Sequence, residues 1–426
     1  MHADTPEQVQ GIDLGAALPL AQLVNTFRAA VIDQQPDLAT VPPTRPGPDQ
    51  QLPEAEQRRL QLDHSRLQHA GPGAQAGLAL RAGVFDPLLP MLLGKTRLFL
   101  APAGILYWLP FAVLPAENST YLIDHYQISY LGTGCDLVRQ TMPHICPAGP
   151  SCVIADPDFD LRLPTTEQQT PPHLPGRRAS GSGARPFARL AGTRKEGRQI
   201  AKQLAVAPLL GRKAVETALK ACHSPRILHI ATHGFCFSDQ PAQQGVRQRD
   251  ASLPDLADLP SIADGDQSLV DKLARFARAS ASNPLVQSGL VFAGANTWNR
   301  GETPPPEAED GIFTAEDAAA LDLRGTALVV LSACETGLGR EIYNGEGMPG
   351  LRRAFVLAGA KTLVTSLWKI PDRHTQELMG EFYQRVLLGQ GCAQALREAC
   401  LVLKTRYPQP FFWGASICQG DPGPLE

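Results

Sequence analysis

The segments LHIATHG (228–234) and LVVLSACETG (328–337) decide the fold. Each begins as an uninterrupted apolar run and stops at a reactive side chain among small residues: His233 before Gly234, and Cys334 after Ser332 and Ala333. A strand buried on both faces of a parallel sheet reads as such a run, because helices cover both faces. In open parallel sheets the residues at the carboxyl ends of the strands meet the crevice where ligands bind. A His and a Cys delivered to that edge make a thiolate–imidazole pair, in which the imidazole takes the thiol proton and the thiolate attacks a carbonyl carbon.

The pattern extends outward from both segments. Strand-like runs recur at RLFLA (97–101), YQISYL (126–131), SCVIAD (151–156), RILHIAT (226–232), GLVFAG (289–294), ALVVLSA (327–333) and KTLVTSLW (361–368). Helical spacing occupies 194–205, 214–222, 347–358 and 375–388. Strands alternating with helices predict an α/β fold with a mostly parallel sheet flanked by helices. Residues 1–78 are polar, interrupted by proline and weakly helical, clearest over 55–69, and carry no internal repeat, so the main domain is expected over 79–426. Two segments interrupt it. Residues 160–189, rich in Pro, Gly, Ser and Arg, read as a mobile surface loop. Residues 237–283 form a polar insertion directly after the His motif, placed either to shape a substrate groove or as a tolerated surface excursion.

Composition narrows the classes. With 43% hydrophobic and 19% charged residues in 426, the chain reads as a soluble globular protein, and a formal charge of -3 offers no field for nucleic acid or an anionic membrane. No nucleic-acid or membrane partner is expected. The nine cysteines (Cys135, Cys146, Cys152, Cys222, Cys236, Cys334, Cys392, Cys400 and Cys418) are an odd number and never spaced C-x-x-C, which fits reduced thiols in a cytoplasm rather than disulfides or a zinc ribbon. The start, MHADTPEQVQ, has no basic stretch followed by an apolar one, so no secretory signal is read. Leu98 to Ala116 is uncharged, yet Pro102, Pro110 and Pro115 break any spanning helix, and LFLAP and LPFAVL read as buried strands joined by a turn. His229, His233 and Cys236 lack a fourth ligand, so no metal is expected. The run GLGREIYNGEG (337–347) lacks the Gly-Lys-Ser/Thr ending of a phosphate-binding loop, and no cofactor is expected either.

Seven further segments carry a family resemblance in order: GKTRLFLAPAGILYWLPFAVLP (94–115), LAGTRKEGRQIAKQL (190–204), ILHIATHGF (227–235), NPLVQSGLVFAGAN (283–296), DGIFTAEDAAALDLRGTALVVLSACETGLG (310–339), GEGMPGLRRAFVLAGAKTLVTSLWKIPD (345–372) and FFWGASICQGD (411–421). Together they resemble the CHAT domain of the caspase- and separase-like clan of cysteine peptidases, over about residues 80 to 420. The resemblance implies a caspase-like sheet with His233 as general base, Cys334 as nucleophile, and the backbone N–H groups of Cys334 and Gly234 as an oxyanion hole. Chemistry agrees: glycine lets an oxygen approach the main chain closely, and one preorganised donor is worth roughly 3 kcal/mol in the transition state.

The implied function is a cytoplasmic cysteine endopeptidase that cleaves a protein partner in a bacterial signalling or antiviral defence pathway. Trp368 to Asp372 matches a W-x-x-x-D spacing that lies near the basic-residue pocket of separases, which implies a substrate-binding role for Asp372 and cleavage after Lys or Arg. Asp372 also reads as a helix N-cap before RHTQELMGEF. Glu335 and Asp310 are further substrate-binding candidates. The alternative is a catalytically silent caspase-like scaffold that binds partners; acyl transfer to an acceptor other than water is a third reading. CHAT domains often follow a tetratricopeptide array, and residues 1–78 show none, which implies an activator or sensor on a separate chain or an incomplete amino terminus. Arg177, Arg178 and Arg185 would be self-cleavage sites if the enzyme prefers basic residues.

Overall fold

A computed structural model describes residues 17–33, 72–116, 120–140, 146–163, 187–236, 284–286, 288–332, 334–335 and 347–425. The helix expected over 55–69, the insertion at 237–283, and Arg177, Arg178 and Arg185 lie outside the described residues. The strands in chain order are β1 (Arg97–Leu100), β2 (Gln127–Tyr130), β3 (Cys152–Pro157), β4 (Leu209–Gly211), β5 (Ile227–Ala231), β6 (His233–Cys236), β7 (Ser288–Val291), β8 (Ile312–Thr314), β9 (Leu328–Leu331), β10 (Cys334–Glu335), β11 (Thr362–Ser366) and β12 (Ser416–Gly420). Tertiary contacts divide the chain into two compact units, Met1–Pro143 with Val364–Glu426, and His144–Leu363.

In the second unit β9, β5, β3 and β4 lie side by side in that order, all parallel. Every residue of β5 and of β9 is buried, as the continuous apolar runs require. His229 enters this core because its neighbours Val153 and Val330 stand opposite it in the register and Glu196 Oε1 lies 3.3 Å from its Nε2. Glu196 belongs to the helix Ala191–Gln203, which packs on β3. In the first unit β1, β2, β12 and β11 follow one another, and the helix Cys392–Arg406 covers β2 and β12. The sheet is mostly parallel and flanked by helices, an α/β architecture.

A second, four-stranded sheet in the order β10-β6-β7-β8 departs from the sequence reading. GLVFAG, taken as part of the parallel sheet, supplies β7, which runs antiparallel to both β6 and β8. Burial on both faces, not strand direction, produces its apolar run, so sequence pattern could not separate the two cases. LPFAVL is likewise not a strand. Between Pro110 and Pro115 it holds one short 3-10 turn, Phe111–Val113, preceded by another, Gly104–Trp108; Trp108, Phe111 and Val113 are buried. No helix among the described residues is long and apolar enough to cross a membrane. The helix Ala17–Asp33, missed from sequence, packs on Pro72–Leu80 in the first unit through Val24, Phe27 and Val31, spaced at helical intervals.

One close approach ties the small sheet to the segment that follows it. Gly311, just before β8, has φ +75°, and a Cβ there would stand 2.5 Å from the Ala295 nitrogen. Its carbonyl also accepts the Phe292 N–H at 2.8 Å. Replacing Gly311 by Ala therefore combines left-handed strain with a backbone clash and is expected to cost at least ~2 kcal/mol in urea unfolding, whereas Gly83→Ala, which meets open space, is expected to leave stability unchanged or raise it by up to ~1 kcal/mol.

Candidate active site

The site arises where two strands leave the parallel sheet at adjacent places. β5 ends at Ala231, Thr232 turns away with its hydroxyl donating to the Val291 carbonyl, and the chain resumes as β6 at His233. β9 ends at Leu331, the Ser332 N–H bonds to the Ile230 carbonyl, and the chain resumes as β10 at Cys334. β6 and β10 then pair in parallel, with Cys334 opposite His233 and Glu335 opposite Gly234. Paired strands run about 4.8 Å apart, so the two backbones that the sequence singled out are immediate neighbours. Gly234 continues the row on its other side to Leu290 of β7.

The His233 imidazole is 6% exposed. Its Nε2 lies 2.7 Å from the Ala188 carbonyl. A carbonyl only accepts, so Nε2 is the donor and carries the hydrogen, which leaves Nδ1 with the lone pair. The Phe159 and Phe187 rings flank the imidazole at centroid distances of 5.3 and 5.8 Å, each tilted 39° to it. Phe159 in turn packs with Phe235, Val291 and Ala295. The imidazole is thereby held in one orientation against an apolar wall.

Residues 187–189 close the segment read from sequence as a mobile loop, and the structure fixes them from both sides. Asn296, 2% exposed on the helix Ala295–Asn299, accepts the Phe187 N–H at 2.8 Å through Oδ1 and donates to the Phe187 carbonyl at 2.9 Å through Nδ2. Its own N–H bonds to the Phe159 carbonyl at 2.9 Å, so one side chain and its backbone join both flanking aromatics. Beyond Ala188, Arg189 Nη2 meets Asp156 Oδ2 at 2.9 Å and Arg194 Nε meets the same oxygen at 2.8 Å. Asp156 ends buried at φ +50°, in the left-handed region that Asp tolerates better than most residues with a side chain. Phe187, Ala188, Asn296 and Asp156 were not singled out from sequence. Only the family-like segment NPLVQSGLVFAGAN, which ends at Asn296, pointed toward them.

Of the substrate-binding candidates, Glu335 follows Cys334 in β10 opposite Gly234, while Asp310 and Asp372 lie on other elements. Asp310 precedes β8, two strands away from β6 on the side opposite β10. Its Oδ1 accepts the Ile312 N–H at 2.8 Å, and it lies against Glu216, whose carboxyl is pushed up to about 8 by burial first and by the Asp310 charge second. Lys220 stands 3.2 Å from Glu216 Oε2, 2.6 Å from Glu309 and 3.8 Å from Asp317. Asp372 belongs to the other compact unit, where it is the first residue of the helix Asp372–Leu387. The N-cap of that helix is Pro371, so Asp372 acts as a first-turn acid on the positive helix end rather than as the cap. Among the described residues no group of three His, Cys, Asp or Glu side chains is placed to hold a metal ion.

A mostly parallel α/β sheet flanked by helices is consistent with the fold of the caspase-like cysteine peptidase clan. The family model for the CHAT domain, which belongs to that clan, matches residues 75–421, and the chain belongs to this family. Human tetratricopeptide repeat protein 28 is 24% identical over 339 residues, covering 76% of this chain and 12% of that protein. The mouse protein of the same name is 32% identical over 119 residues, 27% of this chain and 5% of its own length. The chain thus spans a small fraction of the curated relatives it matches.

Two measurements probe this geometry. Asn296→Ala removes the side-chain partner of two part-buried backbone groups of Phe187 and is expected to destabilise the protein by about 1–3 kcal/mol in urea unfolding. In nitrogen NMR it is also expected to shift His233 from the single Nε2–H tautomer to a mixture, a change that lost stability alone would not produce. Glu216 binds its proton more tightly when folded than when unfolded, so stability falls as pH rises between the ordinary carboxyl value and about 8. Glu216→Gln is expected to flatten that decline, read from unfolding midpoints at about pH 5 and about pH 8.

Proposed function

We propose that the protein is a cysteine endopeptidase that cleaves a protein partner using Cys334 and His233, in a signalling or defence pathway. The observation that carries this reading is the backbone register of Cys334 with His233 across β10 and β6. Positions directly paired across neighbouring strands share a sheet face and are close enough for side-chain chemistry. The His233 tautomer adds to it: with Nε2–H donated to the Ala188 carbonyl, a thiol proton would be taken at Nδ1.

The reaction then has a defined order. Cys334 gives its proton to His233 and attacks the scissile carbonyl as thiolate. The N–H groups of Cys334 and Gly234 hold the oxyanion, and each donor of this kind is worth about 3–4 kcal/mol. His233 returns the proton to the leaving amine, the amine departs, and water hydrolyses the thioester with His233 again as base. The Ala188 carbonyl stabilises the imidazolium formed midway, since the Nε2–H donates more strongly when the ring is charged. No step uses a metal or an organic cofactor. A sensor, on a separate chain or in a longer amino terminus, remains part of the reading, because the curated relatives are named for tetratricopeptide repeats.

Incubating the protein and its Cys334→Ala variant with a mixed-sequence peptide library, and reading cleavage by mass spectrometry, tests the assignment. Cleavage is expected from the unmodified protein, to disappear in Cys334→Ala, and to fall by roughly 10²–10⁴-fold in His233→Ala. The same digest reports whether Lys or Arg precedes the cut. Equal cleavage by Cys334→Ala removes the reading. If an absent activator leaves all forms silent, a peptidyl electrophile is expected to label Cys334 faster in the unmodified protein than in His233→Ala, and equal labelling also removes it.

A further inference from the structure

A second sulfur chemistry stands at the other end of the parallel strands. Cys152 opens β3, and its backbone is in register with Leu228 of β5. Leu228 lies three strand steps, about 10 Å, before the end of β5, and His233 follows beyond that end. Cys222 lies just after the helix Glu216–Lys220, before the chain enters β5. The two sulfurs are 3.1 Å apart. A disulfide needs about 2.05 Å, so closing the bond takes a movement of about 1 Å, well within side-chain rotation.

Accessibility separates this pair from the other close pair of thiols. Cys152 and Cys222 are both partly exposed, and Cys222 sits between the exposed Ala221 and His223. Cys392 and Cys418, which also lie near one another, are 0% and 1% exposed. The Cys222 S–H points to the Cys152 sulfur at 3.1 Å and to the Ala218 carbonyl at 3.3 Å, and the bond between the sulfurs holds the Cys222 thiol below its ordinary value. Flanked by two exposed residues, Cys222 is the sulfur an oxidant reaches first, and Cys152 the one that resolves the product.

We propose that Cys152 and Cys222 form a reversible intramolecular disulfide, a peroxide-sensitive modification site distinct from the His233–Cys334 pair. The Cys222 thiolate attacks one oxygen of a hydroperoxide and cleaves the O–O bond, giving a sulfenic acid and, after proton transfer, an alcohol or water. The Cys152 sulfur then attacks the sulfenic sulfur and expels hydroxide, which leaves as water with the Cys152 proton. Two thiols are oxidised by two electrons, and the peroxide is reduced by two. A dithiol reductant reverses the step by exchange through a mixed disulfide. The bond closes residues 152–222 into a ring that carries Phe187 and Ala188, the segment resting on His233.

The experiment uses the full chain carrying Cys334→Ala, so that a reactive thiol at that position neither consumes oxidant nor scrambles bonds. The protein is treated with hydrogen peroxide, its remaining thiols are blocked, and it is digested without reductant. The expected product is a Cys152–Cys222 cross-linked peptide lighter by two hydrogens, lost on dithiothreitol treatment, with a thermal midpoint raised by roughly 5–10 °C. Adding Cys152→Ser is expected to abolish the cross-link and the shift and to leave Cys222 as a sulfenic acid trapped by dimedone. Absence of the cross-link, its formation by other cysteines, or a lower midpoint on oxidation each overturns the proposal. Because the cross-link is read in a chain lacking the Cys334 thiol, the result stands apart from the fate of the peptidase assignment; if Cys152→Ser does not fold, the cross-link and midpoint of the parent chain still decide it.

Discussion

Everything at the site depends on one requirement: a backbone that leaves a sheet while still buried must find new partners for its N–H and C=O groups. β5 and β9 are neighbours, so when both chains turn out of the parallel sheet their continuations are neighbours as well. The shortest way to satisfy the exposed peptide groups is for the continuations to pair with each other, and β6 and β10 do. Residues distant in sequence become adjacent because two buried strands were adjacent already. The β7–β8 hairpin then covers the other edge of β6 with its own peptide groups.

The imidazole is oriented by a nested set of constraints. Ala188 contributes only a carbonyl, yet that carbonyl fixes which ring nitrogen holds the hydrogen. Asn296 fixes the backbone that presents it, and Gly311 lets the Asn296 helix begin where it does. Arg189 and Arg194 share Asp156 on the far side. An amide at position 296 suits this task because it offers a donor and an acceptor in one plane, matching the N–H and C=O of a single residue. A carboxylate has no donor, and a hydroxyl puts donor and acceptor on one atom, too close together to meet both groups.

Much of the parallel sheet was legible in sequence, because strands buried on both faces leave an unbroken apolar signature and the helices between them keep their period. His233 and Cys334 stood out for the same reason, as polar interruptions where such runs stop. The direction of β7 was not legible, since GLVFAG is buried in either orientation. LPFAVL misled because burial without regular hydrogen bonding looks apolar too. The supports of the imidazole escaped because they act through backbone atoms: a carbonyl at Ala188 and peptide groups at Phe187 have no residue type to announce them. Asp372 was placed correctly at a helix start, but one position past the cap, where Pro371 fills the site without a side-chain bond.

β10 is only two residues long. Its alignment with β6 therefore rests on very few ladder hydrogen bonds, each worth about 1 kcal/mol net, whereas the flanking strands are anchored in a deep core. Separating the two continuations costs little compared with melting the sheet, so this short zipper at the rim is where the folded protein yields first while the body behind it stays intact.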